Sequence, residues 1–443
     1  METMIMELLK EPGNAALRQA LDAMHIADIA KELTDIDRQG VIRVFRLLSK
    51  DKAAEVFAYL DHDVQQGIIE TIADREIGSI INELFLDDAV DFIEEMPANV
   101  VKRVLANVTP DTRDMINQIL KYPEDSAGSI MTIEFVDLKA GMTVADAFAH
   151  IRDTGTDKET IYTCYVIDNA RRLIGMVSVR TLFLSRMEDL ITEIMEPVVV
   201  SAHTHEDREA LVNSFRMNGL MAMPVVDNEN RLVGIVTFDD ALQVQEEETT
   251  EDFEKMAAMS PSEETYLKTS VLDMAKNRLP WLFLLNLSVF ITGAIVARYE
   301  AELAVLPILV TFLPMLMDTS GDAGSQSSTL IIRGMAVNEI KLRDAIPVLW
   351  KELRVALTCG VVLSAINFAR VMLFGHGAAL SLTVSIALFV AIVLAKILGA
   401  MLPLGAKIVK IDPAVMAGPL LTTIVDAATL VVYLNLARTI LQI

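Results

Sequence analysis

The chain has 443 residues, 52% of them hydrophobic, and a formal charge of −23. Sixty-one acidic against 38 basic residues, with no basic patch, exclude a nucleic-acid partner, and two cysteines, Cys164 and Cys359, cannot build a disulfide framework. The charge is uneven: residues 276–443 hold 13 Lys/Arg against 9 Asp/Glu, +4, which leaves 25 against 52, −27, on residues 1–275. An acidic, reduced, cytosolic part followed by a membrane-embedded part is the expectation.

The opening METMIMELLKEPGN lacks a basic n-region and a long apolar core, so no secretory signal is expected. Residues 1–128 show no strand alternation but short helical patterns such as VIRVFRLL, AAEVFAYL and VVKRVL, separated by acidic turns. ELTDID at 32–37 is echoed by ELFLDD at 83–88, which suggests a helical-repeat superhelix.

Residues 129–250 carry a clearer repeat. CYVIDNARRLIGMVSVRTL (164–182) matches MPVVDNENRLVGIVTFDDA (223–241) at a constant offset of 59, each reading strand, polar turn, strand and helix start. Upstream, IMT (130–132) corresponds to IME (194–196). The segment resembles a tandem pair of CBS domains, with copies at about 129–190 and 191–250. In that family a Thr and an Asp after the second strand hold a nucleotide ribose. The second copy has Thr237 and Asp240, while the first has Ser178 and Thr181 and lacks the Asp. ATP binding at one site stays open beside an ion-regulated or purely structural pair.

QEEETTEDFEK (245–255) then packs Glu246, Glu247, Glu248, Glu251 and Asp252 into an expected helix leading to the membrane. Like charges at i,i+3 and i,i+4 repel, and a divalent cation would relieve them. A solvated acidic linker is the alternative.

A spanning helix needs about 20 apolar residues. Five segments qualify: 281–297, 303–335 with an interruption, 353–374, 380–403 and 414–440. Lys276 and Arg278 precede the first span, and Arg333, Lys341, Arg343, Lys351 and Arg354 lie between the second and third. With Lys407 and Lys410 between the fourth and fifth, the positive-inside rule puts the amino-terminal half in the cytoplasm and the carboxy-terminus outside. In LPMLMDTSGDAGSQSSTLIIRG (313–334), Pro314, Gly321 and Gly324 disfavour a continuous helix, while Asp318, Asp322, Ser325, Gln326 and Ser327 bring polar groups.

The last span contains TTIVDAATLVVYL (422–434), whose helical spacing sets Thr422, Asp426, Thr429 and Tyr433 on one stripe behind Gly418 and Pro419. An intramembrane carboxylate faces a bundle interior or an aqueous path. Oxygen ligands suit Mg²⁺ held through its waters. A salt bridge to Lys396 or Arg370 is the alternative for Asp426.

The order of acidic helical domain (1–128), CBS pair (129–250), connecting helix (251–276) and five-helix membrane domain (277–443) resembles the MgtE family of magnesium channels or transporters. So do YPEDSAGSIMT (122–132), GSQSSTLIIRG (324–334) and DPAVMAGPLLTTIVDA (412–427). The resemblance implies a multidomain fold: an all-α helical-repeat domain, an α/β CBS pair, a plug-like connecting helix and five transmembrane helices. It implies a homodimer in the cell membrane with the ion path on its two-fold axis, hydrated Mg²⁺ at Asp426, and cytosolic domains that close the pore on binding Mg²⁺. Family regulatory acids carry over to Asp87, Asp91, Glu209, Asp240, Glu248, Glu251 and Asp252. The chain departs from the family at Ser320-Gly321-Asp322, where Gly-Gly-Asn is expected, at Gly418 for an Asn, and at Arg216 and Gly219, where other members offer metal oxygens.

His203-Thr204-His205 reads as an exposed loop, and the absence of HExxH, P-loop and Gly-x-Ser-x-Gly patterns argues against an enzyme. An Mg²⁺-selective channel closed by internal Mg²⁺ is expected. The alternatives are an ion-coupled Mg²⁺/Co²⁺ transporter and a membrane-anchored CBS nucleotide sensor that transports nothing.

Overall fold

The computed structural model describes residues 4–11, 13–262, 266 and 269–442. The chain divides into two compact units, Met1–Gln245 and Glu246–Ile443.

Among the described residues the first unit opens with ten helices: α1 (Met4–Leu9), α2 (Ala15–Ala23), α3 (Ile26–Thr34), α4 (Arg38–Phe45), α5 (Lys50–Ala58), α6 (His62–Thr71), α7 (Asp74–Ile81), α8 (Leu86–Glu94), α9 (Ala98–Asn107) and α10 (Pro110–Ile119). Polar residues set their starts: Asp37 accepts from Gly40 N–H at 3.3 Å, and Thr109 from Thr112 N–H at 3.2 Å with Pro110 in the first turn. Helix α3 packs on α5, α5 on α7 and α7 on α9, while α4 packs on α6, the stacking of a superhelix. Both ELTDID and ELFLDD fall where one helix turns into the next. Cations from later helices close earlier carboxy-termini. Arg103 donates to the Ile69 and Ile72 carbonyls at 2.6 and 2.8 Å, and Lys52 to the Leu21 and Met24 carbonyls at 2.6 and 2.9 Å.

Two three-stranded sheets follow, β1 (Asp137–Lys139), β2 (Thr163–Ile167) and β3 (Leu173–Ser178), then β4 (Ala202–His203), β5 (Ala222–Val226) and β6 (Leu232–Thr237). In each the first pair is parallel and the second antiparallel, with Tyr165 opposite Met176 and Pro224 opposite Ile235. The offset of 59 recurs in the turns: Asp168 Oδ1 accepts from Ala170 and Arg172 N–H, and Asp227 Oδ1 from Glu229 and Arg231 N–H. The copies exchange strands. Thr132 of the first copy pairs with Ile235 of β6, and Glu196 of the second with Met176 of β3. Gly175 and Gly234 are bare because Met195 and Met131 cross directly over them. The accompanying helices are α11 (Val144–Thr154), α12 (Val179–Leu184), α13 (Ile191–Ile194), α14 (Arg208–Asn218) and α15 (Phe238–Met256). The YPEDSAGSIMT segment meets the 204–207 loop, with Ala127 N–H on Glu206 O at 2.7 Å and Gly128 N–H on Thr204 O at 2.9 Å. His203 and His205 are exposed, but the expected loop is not all loop, because His203 ends β4 opposite Val226 and Thr204 is buried.

The expected connecting helix over 251–276 is not one element. Its first turns belong to α15, which ends at Met256, and the next helix begins at Val271; residues 263–265, 267 and 268 lie outside the described residues.

The second unit contains α16 (Val271–Arg298), α17 (Glu300–Val305), α18 (Leu313–Ala336), α19 (Ala345–Leu373), α20 (Ala378–Ile408) and α21 (Gly418–Leu441). Helix α20 is its centre and packs on α18, α19 and α21. Among the described residues four segments are long and apolar enough to cross a membrane: Val271–Arg298, Leu342–Leu373, Ala378–Ile408 and Pro413–Leu441. The predicted second span differs from expectation. Helix α18 is unbroken through Gly321 and Gly324, and Pro314 sits in its first turn, where no intrahelical bond is lost. The irregular backbone lies before it, in a 3₁₀ turn over Pro307–Phe312. The glycines admit neighbours instead of breaking the helix. A Cβ on Gly324 would stand 3.1 Å from Ala395 O, and one on Gly399 would overlap Gly324 O.

Candidate cation site

Helix α21 starts at Gly418, whose φ of +48° is left-handed and whose missing Cβ leaves room for Met256 O. Thr422 and Thr423 both donate to Pro419 O at 2.9 Å, which closes the first turn. One turn on, Asp426 is half-buried and faces α18 at Gly321, where a Cβ would meet Thr422 Cγ2 at 3.3 Å and Asp426 Oδ1 at 4.0 Å. The rest of the polar stripe is committed to packing. Thr429 is buried with its hydroxyl 2.9 Å from Ser320 Oγ, and Tyr433 OH donates to Leu309 O at 3.1 Å. Thr429 therefore clamps α18 to α21, and Thr422 and Asp426 are the stripe members left beside the open face.

Helix α18 adds Asp318 and Asp322, exposed and one turn apart, with Asp318 in electrostatic reach of Asp426. Neither suggested salt-bridge partner meets Asp426. Lys396 donates to Ala323 O and Ser327 Oγ, and Arg370 to Asn367 Oδ1 at 3.0 Å and Met315 Sδ.

A second acidic assembly lies in the first unit. The amino-terminus of α8 carries Asp87 and Asp88, with Asp91 a turn later, and that of α15 carries Asp239 and Asp240. Acids in first turns complement the helix dipole, but here two such ends bring their charges together. Burial first, then the charge of Asp240, holds the Asp87 carboxyl well above the carboxylate range. The same causes push Asp88 up to about 7, and burial followed by Asp88 and Asp240 pushes Glu159 to about 8. Asp240 is raised by burial to about 6 against the hydrogen bonds of Thr237, whose hydroxyl donates to both Asp239 and Asp240. Asp91 is raised by burial, with His62 opposing. Among the described residues no group of three His, Cys, Asp or Glu side chains is placed to hold a metal ion directly. An all-carboxylate set that repels itself fits a hard cation held through its waters. Glu209 is exposed in the first turn of α14, and Gly219 ends that helix with φ +63°. Sequence reasoning missed Asp88, Asp239 and Glu159; the first two adjoin named acids, whereas Glu159 carried no signal.

On α15, Glu248, Glu251 and Asp252 are half-buried. Glu251 pairs with Lys255, whose Nζ also reaches Asp412 Oδ2 at 2.7 Å in the turn before α21. Burial opposes the Lys255 charge, but its bonds to Asp412 and Glu251 prevail and raise its pKa. Asp252 is raised by burial and then by Asp412. Nothing in the sequence pointed to the Lys255–Asp412 pair, 157 residues apart.

Three family descriptions match: the MgtE intracellular N domain over residues 24–125, the CBS domain over 127–188 and 191–247, and a divalent cation transporter, MgtE, over 313–436. The magnesium transporter MgtE of Thermus thermophilus is 35% identical over 442 residues, covering 99% of this chain and 98% of that one. This chain belongs to the MgtE family. The MgtE of Bacillus subtilis is 28% identical over 98% of this chain and 96% of its own length. The crystal structure of an MgtE cytosolic domain in complex with ATP, of an Mg²⁺ channel by its description, covers 55% of this chain and all of its own at 35% identity and a TM-score of 0.52.

Proposed function

We propose that this MgtE chain conducts Mg²⁺ across the cell membrane as a homodimer, with α16, α18, α19, α20 and α21 as five spans. The amino-terminal half is then cytoplasmic and the carboxy-terminus outside, as the Lys/Arg between spans favour. The observation that carries this reading is the acid face of α18 and α21, where Asp318 and Asp322 are exposed and Asp426 is half-buried among apolar helices. An ionised Asp in hydrocarbon costs ~3 kcal/mol or more, so a face with three of them belongs against water rather than lipid. A second copy across an aqueous path on the two-fold axis supplies that setting. Asp426, with Thr422 and the Gly418 backbone beside it, then holds hydrated Mg²⁺ through its waters, and Thr429 keeps α18 in place. The membrane potential drives influx with about 4.6 kcal/mol per divalent ion per 100 mV.

Internal Mg²⁺ closes the path by relieving repulsion among Asp87, Asp91 and Asp240 and among Glu248, Glu251 and Asp252, with Glu209 as a further ligand. ATP is a second regulator on this reading. The relative crystallised with ATP supports it, and Thr237 and Asp240 would then be the ribose partners in this chain. No step calls for enzyme chemistry.

Purified protein in proteoliposomes should take up Mg²⁺ in proportion to an inside-negative potential, with no co-ion. A requirement for a Na⁺ or H⁺ gradient would make it a coupled transporter, and no uptake at all would leave a nucleotide sensor.

A further inference from the structure

Lys396 on α20 is 5% exposed in the middle of the helical unit. Its ammonium donates to two groups of α18, Ala323 O at 3.4 Å and Ser327 Oγ at 3.3 Å. Ser327 Oγ in turn donates to Glu352 Oε2 on α19 at 2.6 Å. Among the described residues no carboxylate forms an ion pair with this lysine, so Glu352 balances its charge only through the serine. Two hydrogen bonds near the long limit are a thin return for burying a cation, which makes Lys396 a poor stabilising device.

Its place on α18 is what distinguishes it. Ala323 lies two residues after Gly321, the bare position facing Asp426, and three after Ser320, which holds Thr429. Ala323 also adjoins Gly324, whose carbonyl touches the α-carbon side of Gly399, three residues after Lys396. Helix α18 is thus gripped by the lysine at a glycine crossing, where Gly324 also lies close to Leu421 and Val425 of α21, and bears on the carboxylate of α21 at Gly321. A small rotation of α18 would carry Asp318 away from Asp426 and swing Gly321 out of register with Thr422.

We infer that Lys396 is a positioning residue for the cation path, setting the rotation of α18 through Ala323 O and Ser327 Oγ while Glu352 anchors the same serine to α19. The inference rests on the reading of Asp426 as the path carboxylate. It assigns the lysine an effect on how the path grips its ion rather than on whether the protein folds.

The test is the concentration dependence of Mg²⁺ uptake by the full chain in proteoliposomes, beside its melting temperature. Lys396→Met should raise KM about tenfold, which corresponds to ~1.4 kcal/mol of lost ion affinity. Melting should change little, and the maximal rate should fall less than KM rises. The double variant Lys396→Met/Glu352→Gln should keep the raised KM, because the donor to Ala323 O is still gone. A wild-type KM in Lys396→Met overturns the inference. So does recovery in the double variant, which would make the pair a matter of charge balance. If Lys396→Met yields no folded protein, Ser327→Ala decides: a KM raised several-fold supports the positioning role and a wild-type KM overturns it. Asp426→Ala tests the underlying reading separately, since normal uptake there would remove the path assignment whatever Lys396 does.

Discussion

Asp426 is half-buried with no cation beside it among the described residues, because of what its neighbours lack. Gly321 puts no side chain against it, and the two cations that could neutralise it are engaged elsewhere, Lys396 with α18 and Arg370 with Asn367. Asp426→Ala should abolish Mg²⁺ uptake with little change in melting temperature, because it removes a charge and no packing. Asp426→Asn keeps the shape and should fail as well; uptake near wild type in either well-expressed variant would refute the assignment. Gly399 makes the opposite kind of demand. A methyl there would fall on Gly324 O, so Gly399→Ala should cost about 1–3 kcal/mol as overpacking. A thermal melt of the detergent-solubilised protein checks it, and an unchanged midpoint would mean the α18–α20 crossing is looser than it stands here.

At the scale of elements, the starts of α8 and α15 act as one electrostatic unit. The folded pKa values of Asp88, Glu159 and Asp240, about 7, 8 and 6, lie above those of the unfolded chain. Between about pH 4 and 8 the folded state therefore holds protons that the unfolded state has released, and stability falls as pH rises. In chelator, the melting temperature of a fragment ending at residue 256 should drop by several degrees from pH 5.5 to 8.5. Millimolar Mg²⁺ should flatten that slope; a flat profile without Mg²⁺ would show that these acids do not repel in the fold. The end of α15 poses a separate question. Its Lys255–Asp412 pair ties the connector to the turn before α21. Lys255→Met and Asp412→Asn should each weaken channel closure by internal Mg²⁺, and together no more than either alone. Additive effects in patch recordings would mean that the two residues act apart.

For the whole molecule, residues 1–275 carry a charge of −27, which on the proposed function is what internal Mg²⁺ would act on. At an effective dielectric near 20, two unit charges 4 Å apart interact by about 4 kcal/mol, enough for a few pairs to hold acidic surfaces apart. Millimolar Mg²⁺ should protect the 245–275 region from protease, and K⁺ at matched ionic strength should not, since screening cannot bridge carboxylates. Equal protection by K⁺ would reduce the connector to a solvated acidic helix. Deleting residues 1–128 should leave Mg²⁺ uptake intact and raise the internal Mg²⁺ needed for closure, read in patch recordings.

Local pattern alone determined much of this protein. The 59-residue repeat located β2, β3, β5, β6 and their Asp-capped turns, because strand alternation and turn chemistry are written within a few residues. The carboxylate of Asp426 was legible for the same reason, as a charge in an apolar run contradicts its surroundings whatever the fold. Pro314, Gly321 and Gly324 misled because their local meaning is a break. Tertiary packing gave them another, a first-turn proline and two close helix approaches. Thr429 likewise lay on the same helical stripe as Asp426, but its hydroxyl is hydrogen-bonded to Ser320. Lys255 with Asp412, Lys396 with Ser327 and Glu352, and the gathering of Asp88, Asp240 and Glu159 join residues far apart in the chain. No periodicity records such pairings, because only the folded backbone decides which distant side chains share one low-dielectric space.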